Sequence, residues 1–251
     1  MEMSPAFPPD FQLILASQSP RRHSLLRDVG IPFTVAASQA VELVSGGPAS
    51  ALAEGNAIAK VRGASLPPRL LPGAFVLGTD TLVCVGRRVM GKPATAEEAA
   101  GMLASLSGRT HRVVSGVALV RTADAARRGG SEEVRLASAV TDVTFSVIDK
   151  AEIEAYVAAG EWRGKAGGYA VQGLAALFVT GLLGEYSNVV GLPLNLLHRL
   201  FRELGFDLVR RGWLSGGGDR ESAVPSLSGY NTRTPTAQRS GEKVTRQEEV
   251  R

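Results

Sequence analysis

Leu13-Ile14-Leu15-Ala16-Ser17-Gln18-Ser19-Pro20-Arg21-Arg22 starts apolar and ends in two arginines. Its first four residues read as a short buried strand. Ser19 is of the type that caps a helix, and Pro20 suits a first helical position, where its missing N–H is not needed. Leu25, Leu26 and Val29 follow at helical spacing as an expected buried face, and Gly30 and Pro32 mark its end. A strand passing directly into a helix is the opening unit of an α/β fold.

The same alternation continues downstream. Residues 75–77 form a second apolar run, resumed by 82–85 beyond Asp80. Thr95 and Glu98 have the spacing of a capping box, heading a helix through Leu106 with Met102, Leu103 and Leu106 inward. Residues 113–120 read as a buried strand. Val143, Phe145 and Val147 alternate with polar residues as in a half-exposed strand. Asp149 and Glu152 cap a helix ending near Gly160. Residues 177–179 read as a further strand, and Pro193 opens a helix carrying Leu197, Leu200, Phe201 and Leu204, stopped by Gly205. The expected class is α/β, with a mixed central sheet flanked by helices.

Composition sets the limits around this frame. Of 251 residues, 44% are hydrophobic, enough for a sizeable core. No apolar run approaches the ~18–20 residues of a membrane helix, and residues 1–10 lack the charge and apolar stretch of a signal peptide. Cys84 is the single cysteine, which excludes an internal disulfide framework and fits a reducing, cytoplasmic setting. The net charge is +4, yet the densest basic clusters are pairs such as Arg87-Arg88 and are not interleaved with aromatics, so nucleic acid is not expected as a partner. Residues 215–251 are rich in Gly, Ser, Thr, Arg and Glu, and too poor in apolar residues to offset chain entropy. The expected organisation is a disordered leader over 1–10, a folded domain over 11–213 and a disordered tail over 214–251. Residues 45–49 and 123–133 read as surface loops.

Four stretches can carry chemistry. In Ser17-Gln18-Ser19-Pro20-Arg21-Arg22 a strand ends and a helix begins, so backbone N–H groups and the positive helix end face outward. Two arginines in that first turn oppose the helix dipole, a conflict that a bound anion removes; the bland alternative is a surface helix with two solvated arginines. Gly78-Thr79-Asp80-Thr81 follows an apolar strand and places a carboxylate at an expected strand end, a common seat of metal or general-base chemistry; the alternative is an Asx-turn. Gly91-Lys92-Pro93 offers a mobile point charge on a stiffened loop, or a solvated lysine. Residues 164–173, G-K-A-G-G-Y-A-V-Q-G, hold four glycines that permit close approach, and Gln172 there has the donors and acceptor to read a base edge. Together Arg21, Arg22, Lys60 and Lys92 supply cations for phosphates, and Asp80 and Glu42 supply carboxylates for a hard cation, most plausibly Mg²⁺, with Mn²⁺ or Co²⁺ as alternatives. Hydrolysis of a phosphoanhydride needs that combination. His23, His111 and His198 are too scattered to suggest a metal cluster.

On these motifs the sequence resembles the Maf family of nucleotide pyrophosphatases. SxSPRR, GxDT, GKP and KAGxYxxQG occur in family order, joined by residues 102–108 (MLASLSG), 141–145 (TDVTF) and 190–194 (VGLPL), and the likeness spans Leu13 to about Leu204. The resemblance implies a Maf, inosine-triphosphatase-like fold with a substrate cleft between two lobes. It also implies hydrolysis of a nucleoside triphosphate to monophosphate and pyrophosphate, a divalent metal and often a homodimer. Asp80 matches the family's proton-accepting aspartate. Ser17, Arg21, Arg22, Glu42, Lys60, Lys92 and Gln172 match its substrate-site or metal-site positions. Arg21, Thr81 and Gln172 match the specificity positions of the subgroup that acts on dTTP and UTP; the other subgroup prefers 7-methyl-GTP. Two acidic positions of the family are replaced here, by Gly164 and Val41. A different reading is a non-catalytic nucleotide-binding regulator of septum formation; retention of Asp80 and Lys92 argues against it.

Overall fold

The computed structural model of the protein describes residues 6–43, 45–124 and 130–214. A mixed sheet runs in the order β2 (Thr34–Val35), β1 (Leu13–Leu15), β3 (Phe75–Val85), β5 (Thr110–Arg121), β6 (Glu133–Phe145), β7 (Val179–Leu183), with β4 (Arg88–Met90) paired to β3. β1 pairs in parallel with β2 and β3, and the remaining pairings are antiparallel. This is the expected α/β class.

Strand alternation divides the interior in two. Phe75, Leu77 and Val83 of β3 and Val113, Val117 and Leu119 of β5 face the larger core. There they meet α1 (Pro20–Asp28), α3 (Ala96–Leu106), α4 (Lys150–Ala159) and α6 (Leu194–Glu203), through residues such as Leu26, Leu103, Tyr156 and Phe201. Each such fully buried side chain is worth about 1.5–3 kcal/mol relative to exposure. The intervening residues face α2 (Ala49–Arg62): Val76, Ala118 and Val120 gather with Ala57 and Val61. α5 (Tyr186–Val190) and the small β8 (Phe206–Asp207) and β9 (Gly212–Trp213) complete the described residues.

β3 is paired with β5 along nearly its whole length, but β1 covers its other edge only over residues 75–77 and β4 only over 83–85. The stretch between is uncovered on one side. Side chains from both sheet faces can reach that gap, and Asp80 and Thr81 lie in it on opposite faces.

Several expectations change. Asp80 does not end a strand, because β3 runs through it to Val85. Ser19 stands at the N-cap of α1 but its side chain makes no capping bond, and Val29 is 45% exposed beyond the helix. Thr95 accepts from Glu98 N at 3.2 Å, but Glu98 returns its bond to Ala94 N, so only half of the box forms; Asp149 and Glu152 form both halves. Val147 lies outside β6 and is exposed. Leu177 belongs to a 3₁₀ turn over Leu174–Phe178 that precedes β7. Of the expected leader, Phe7 packs on Phe11 and Phe206, and Asp10 accepts from Trp213 Nε1 at 2.8 Å. From Ser215 the expected tail lies outside the described residues, as does part of the 123–133 loop.

Candidate active site

A cleft open to solvent lies over the uncovered stretch of β3. Arg21 and Arg22 reach it from α1, Asp80 and Thr81 from β3, Glu42 from the loop before α2, Lys92 from the turn after β4, and Lys165 and Gln172 from the glycine-rich segment. Ser17 and Lys60 stand behind this lining and touch it through Arg22 and Asp80.

On the α2 side the two carboxylates share one ammonium. Lys60 Nζ lies 2.7 Å from Asp80 Oδ1 and 2.8 Å from Glu42 Oε1, and it also donates to Thr79 O at 3.2 Å. Lys92 takes the other Glu42 oxygen at 2.8 Å. Burial raises the Glu42 carboxyl, but the hydrogen bonds and charges of Lys60 and Lys92 overcome this and hold it at about 2. α2 delivers Lys60 because a helix places residues three and four apart on one face, here Ala53, Asn56, Ala57 and Lys60, all buried. Backbone contact with the sheet is close: a Cβ on Gly78 would overlap Ala57 O and come within 2.7 Å of Val61 Cγ2, and one on Gly116 would overlap Ala53 C and O.

On the opposite face sits the guanidinium of Arg22, 9% exposed. It donates to Gly191 O at 2.9 Å, Ser17 Oγ at 2.8 Å and Thr81 Oγ1 at 3.3 Å. Thr81 Oγ1 in turn lies 2.8 Å from Ser115 Oγ, which donates toward Asn188 O at 3.4 Å. Burial pulls the Arg22 guanidinium down to about 10, against the opposing charges of Asp80 and Glu42. Arg22 forms no ion pair with any described carboxylate. Arg21 donates to Val190 O at 3.3 Å, and burial lowers it as well. Burial, and then the nearby Arg21 charge, lower Lys165.

The cleft's far wall is the glycine-rich segment. Gly167 has φ +69° and a Cβ there would press on Val83 at 2.9 Å, so the chain lies directly against β3. Tyr169 is buried behind it, its hydroxyl 2.8 Å from His111 Nε2. Gln172 is exposed at the rim. Gly164 also lines the cleft with φ +69°, while Val41 is 83% exposed.

The family model for Maf-like protein matches residues 12–204. This chain belongs to the Maf-like protein family. Among curated relatives, the dTTP/UTP pyrophosphatase of Symbiobacterium thermophilum is 45% identical over 202 residues, 80% of this chain and 98% of that protein. The proteins of the same name from Pelotomaculum thermopropionicum and Moorella thermoacetica are 43% and 46% identical, covering 79% and 78% of this chain and 99% and 97% of theirs. This Maf-like chain lines the cleft with Arg21, Arg22, Glu42, Asp80, Thr81, Lys92 and Gln172 and sets Ser17 and Lys60 behind it. The residue missed was Asn56, which donates to Asp80 Oδ2 at 2.8 Å. Its one sequence signal is its place four residues before Lys60 on the same helix.

The donor set fits a hard cation in kind. Among the described residues no three His, Cys, Asp or Glu side chains gather to hold a metal. Asp80 and Glu42 are two oxygen donors on one side of the cleft, and a small hard cation takes one or two carboxylates plus phosphate and water oxygens. No helix of the described residues is long and apolar enough to cross a membrane.

Proposed function

We propose that this protein hydrolyses dTTP and UTP to the monophosphate and pyrophosphate, using the cleft over β3. The observation that carries the reading is the pairing of a buried, ion-pair-free Arg22 with the clamped Asp80 across one gap in the sheet. A triphosphate supplies the negative charge that Arg21, Arg22 and Lys165 lack, and Lys92 stands beside them on Glu42. Arginine forks grip phosphate oxygens in two places each, and the lysines add point charges. Asp80 takes the proton of the attacking water as the new P–O bond forms and the bond bridging the first two phosphates breaks. Lys60 holds Asp80 in place for that transfer. Asp80 and Glu42 would hold a divalent cation, Mg²⁺ by preference, which supplies charge neutralisation on the phosphate oxygens. Gln172 offers an amide to the carbonyl and N–H edge that thymine and uracil share. A cytoplasmic setting and a homodimer belong to the same reading.

The test is product analysis with purified protein and Mg²⁺ over dTTP, UTP, dATP, GTP and 7-methyl-GTP. The two pyrimidines should give monophosphate and pyrophosphate with the highest kcat/KM. Asp80→Asn keeps the size of the side chain but cannot accept the proton, and should lose ~10²-fold or more in kcat. Tight nucleotide binding without turnover in the unaltered protein would favour the regulator reading instead.

A further inference from the structure

Asn56 is 2% exposed on the inner face of α2. Its carboxamide makes three hydrogen bonds. Oδ1 accepts from Leu43 N at 2.8 Å, and Nδ2 donates to Leu43 O at 2.8 Å and to Asp80 Oδ2 at 2.8 Å. A primary amide has two N–H donors, and both are used. The exchange with Leu43 copies the reciprocal N–H and C=O pairing of a strand residue, so the loop is held as if by one rung of a sheet. Leu43 itself is 59% exposed, so its side chain does little to anchor the loop. Glu42 precedes it, with its oxygens on Lys60 and Lys92.

From this geometry we infer that Asn56 is a positioning residue that locks Asp80 and the Glu42 loop into one register. The inference rests on the pyrophosphatase reading for its consequence in turnover. One side chain fixes the carboxylate rotamer of Asp80 and the backbone next to Glu42 at once. Without it, Oδ2 of Asp80 loses its donor, the Leu43 N–H loses its acceptor and the Leu43 C=O loses its donor. Both carboxylates then sample other positions relative to the cleft. Lys60 cannot compensate, because its contact with Asp80 is to the other oxygen. Asn56 touches neither arginine of the cleft nor Lys92, so nucleotide affinity should suffer less than the chemical step.

Two replacements separate the idea from general damage. Asn56→Ser removes the clasp; Asn56→Asp keeps the shape but has no donors and sets a second negative charge beside Asp80. On the intact chain, kcat for dTTP should fall about tenfold to a hundredfold in both, as misplacement of reacting groups commonly costs, with KM changed about threefold or less. Hydrogen exchange of the Leu43 amide is the second readout. In the unaltered folded protein it should be slowed at least about tenfold relative to an unprotected amide, and Asn56→Ser should release it while core strands stay protected. A Leu43 amide that exchanges freely in the unaltered protein overturns the proposal, whether or not either variant folds. So does an Asn56→Ser protein with kcat within about twofold of normal, or one whose loss lies in KM alone. If the unaltered protein cleaves no nucleoside triphosphate, the functional reading fails by itself, and the Leu43 amide still decides whether the clasp exists.

Discussion

Thr81 shows how a residue changes meaning once its neighbours are known. The family resemblance makes it a specificity position beside Arg21 and Gln172. Its hydroxyl lies 2.8 Å from Ser115 Oγ and accepts from Arg22 at 3.3 Å, completing a chain from the guanidinium through two hydroxyls to Asn188 O. Each hydroxyl in that chain can accept one hydrogen bond and donate one, so orientation passes from the buried backbone to Arg22. Thr81→Val keeps the shape and removes the hydroxyl. It leaves Arg22 and Ser115 each short of a partner, worth roughly 1–3 kcal/mol. We expect kcat/KM for dTTP and UTP to fall together by about tenfold, with the ranking of bases unchanged. Gln172→Glu, at the exposed rim, should instead change the ranking. A steady-state comparison of both variants over the five nucleotides checks this; a changed base ranking in Thr81→Val would contradict the chain and restore direct readout.

Single elements decided how much of this architecture could be read beforehand. α4 was legible because Asp149, Glu152 and Gly160 each do what their types suggest, a complete capping box and a left-handed stop at φ 76°. In sequence β3 reads as two pieces, since Gly78, Thr79 and Asp80 together resemble a turn. The strand continues because β5 pairs with it throughout, from Phe75↔Arg121 to Cys84↔Arg112. α2 was only partly visible for a related reason. Its buried residues are Leu52, Ala53, Asn56, Ala57, Lys60 and Val61, so two alanines and two polar residues interrupt the apolar stripe that would announce a helix. That face serves the cleft as well as the core. The seat for α2 is equally quiet in sequence, being Gly78 on one strand and Gly116 on its neighbour. Gly116→Ala would drive a methyl into the α2 backbone at Ala53. Overpacking of this kind costs roughly 1–3 kcal/mol, and shifting Lys60 and Asn56 by an ångström can cost about a hundredfold in rate. Lower Tm and at least tenfold lower kcat are therefore expected. Gly101→Ala in α3, where an added Cβ meets nothing within 4 Å, is the control and should keep activity and gain up to about 1 kcal/mol of stability. Equal behaviour of the two glycine variants would show that α2 is not seated this tightly.

At the scale of the whole molecule, one buried histidine ties the sheet to the wall of the cleft. His111, on β5, packs edge-on against Phe145 and Tyr169 and meets the Tyr169 hydroxyl with Nε2, while Nδ1 is buried without a partner. The neutral ring with the proton on Nε2 leaves only a lone pair unpaired at Nδ1. Protonating Nδ1 would put an unpaired N–H and a charge into the core. Burial therefore lowers His111 from 6.5 to about 4, with Asp142 too weak an attraction to prevent it. The sign follows from proton counting. Above pH 6.5 the ring is neutral folded and unfolded, and the group adds no pH dependence. Between 6.5 and about 4 the unfolded chain binds the proton and the folded chain does not, so stability falls as pH falls, by up to 1.36 kcal/mol per pH unit. Across that window the loss is about 3 kcal/mol. Glu42 acts in the next window down: its depressed carboxyl contributes stability above pH 4.5 that is lost toward pH 2, and its partial exposure keeps that share small. His111→Gln can still bond the Tyr169 hydroxyl but cannot ionise. It should be less stable at pH 7, having lost ring contacts, and its stability should decline more gently from pH 6.5 to 4. Urea unfolding midpoints at half-unit pH steps for both proteins give the two slopes directly. Parallel curves through that window would mean that His111 is not held neutral by the core.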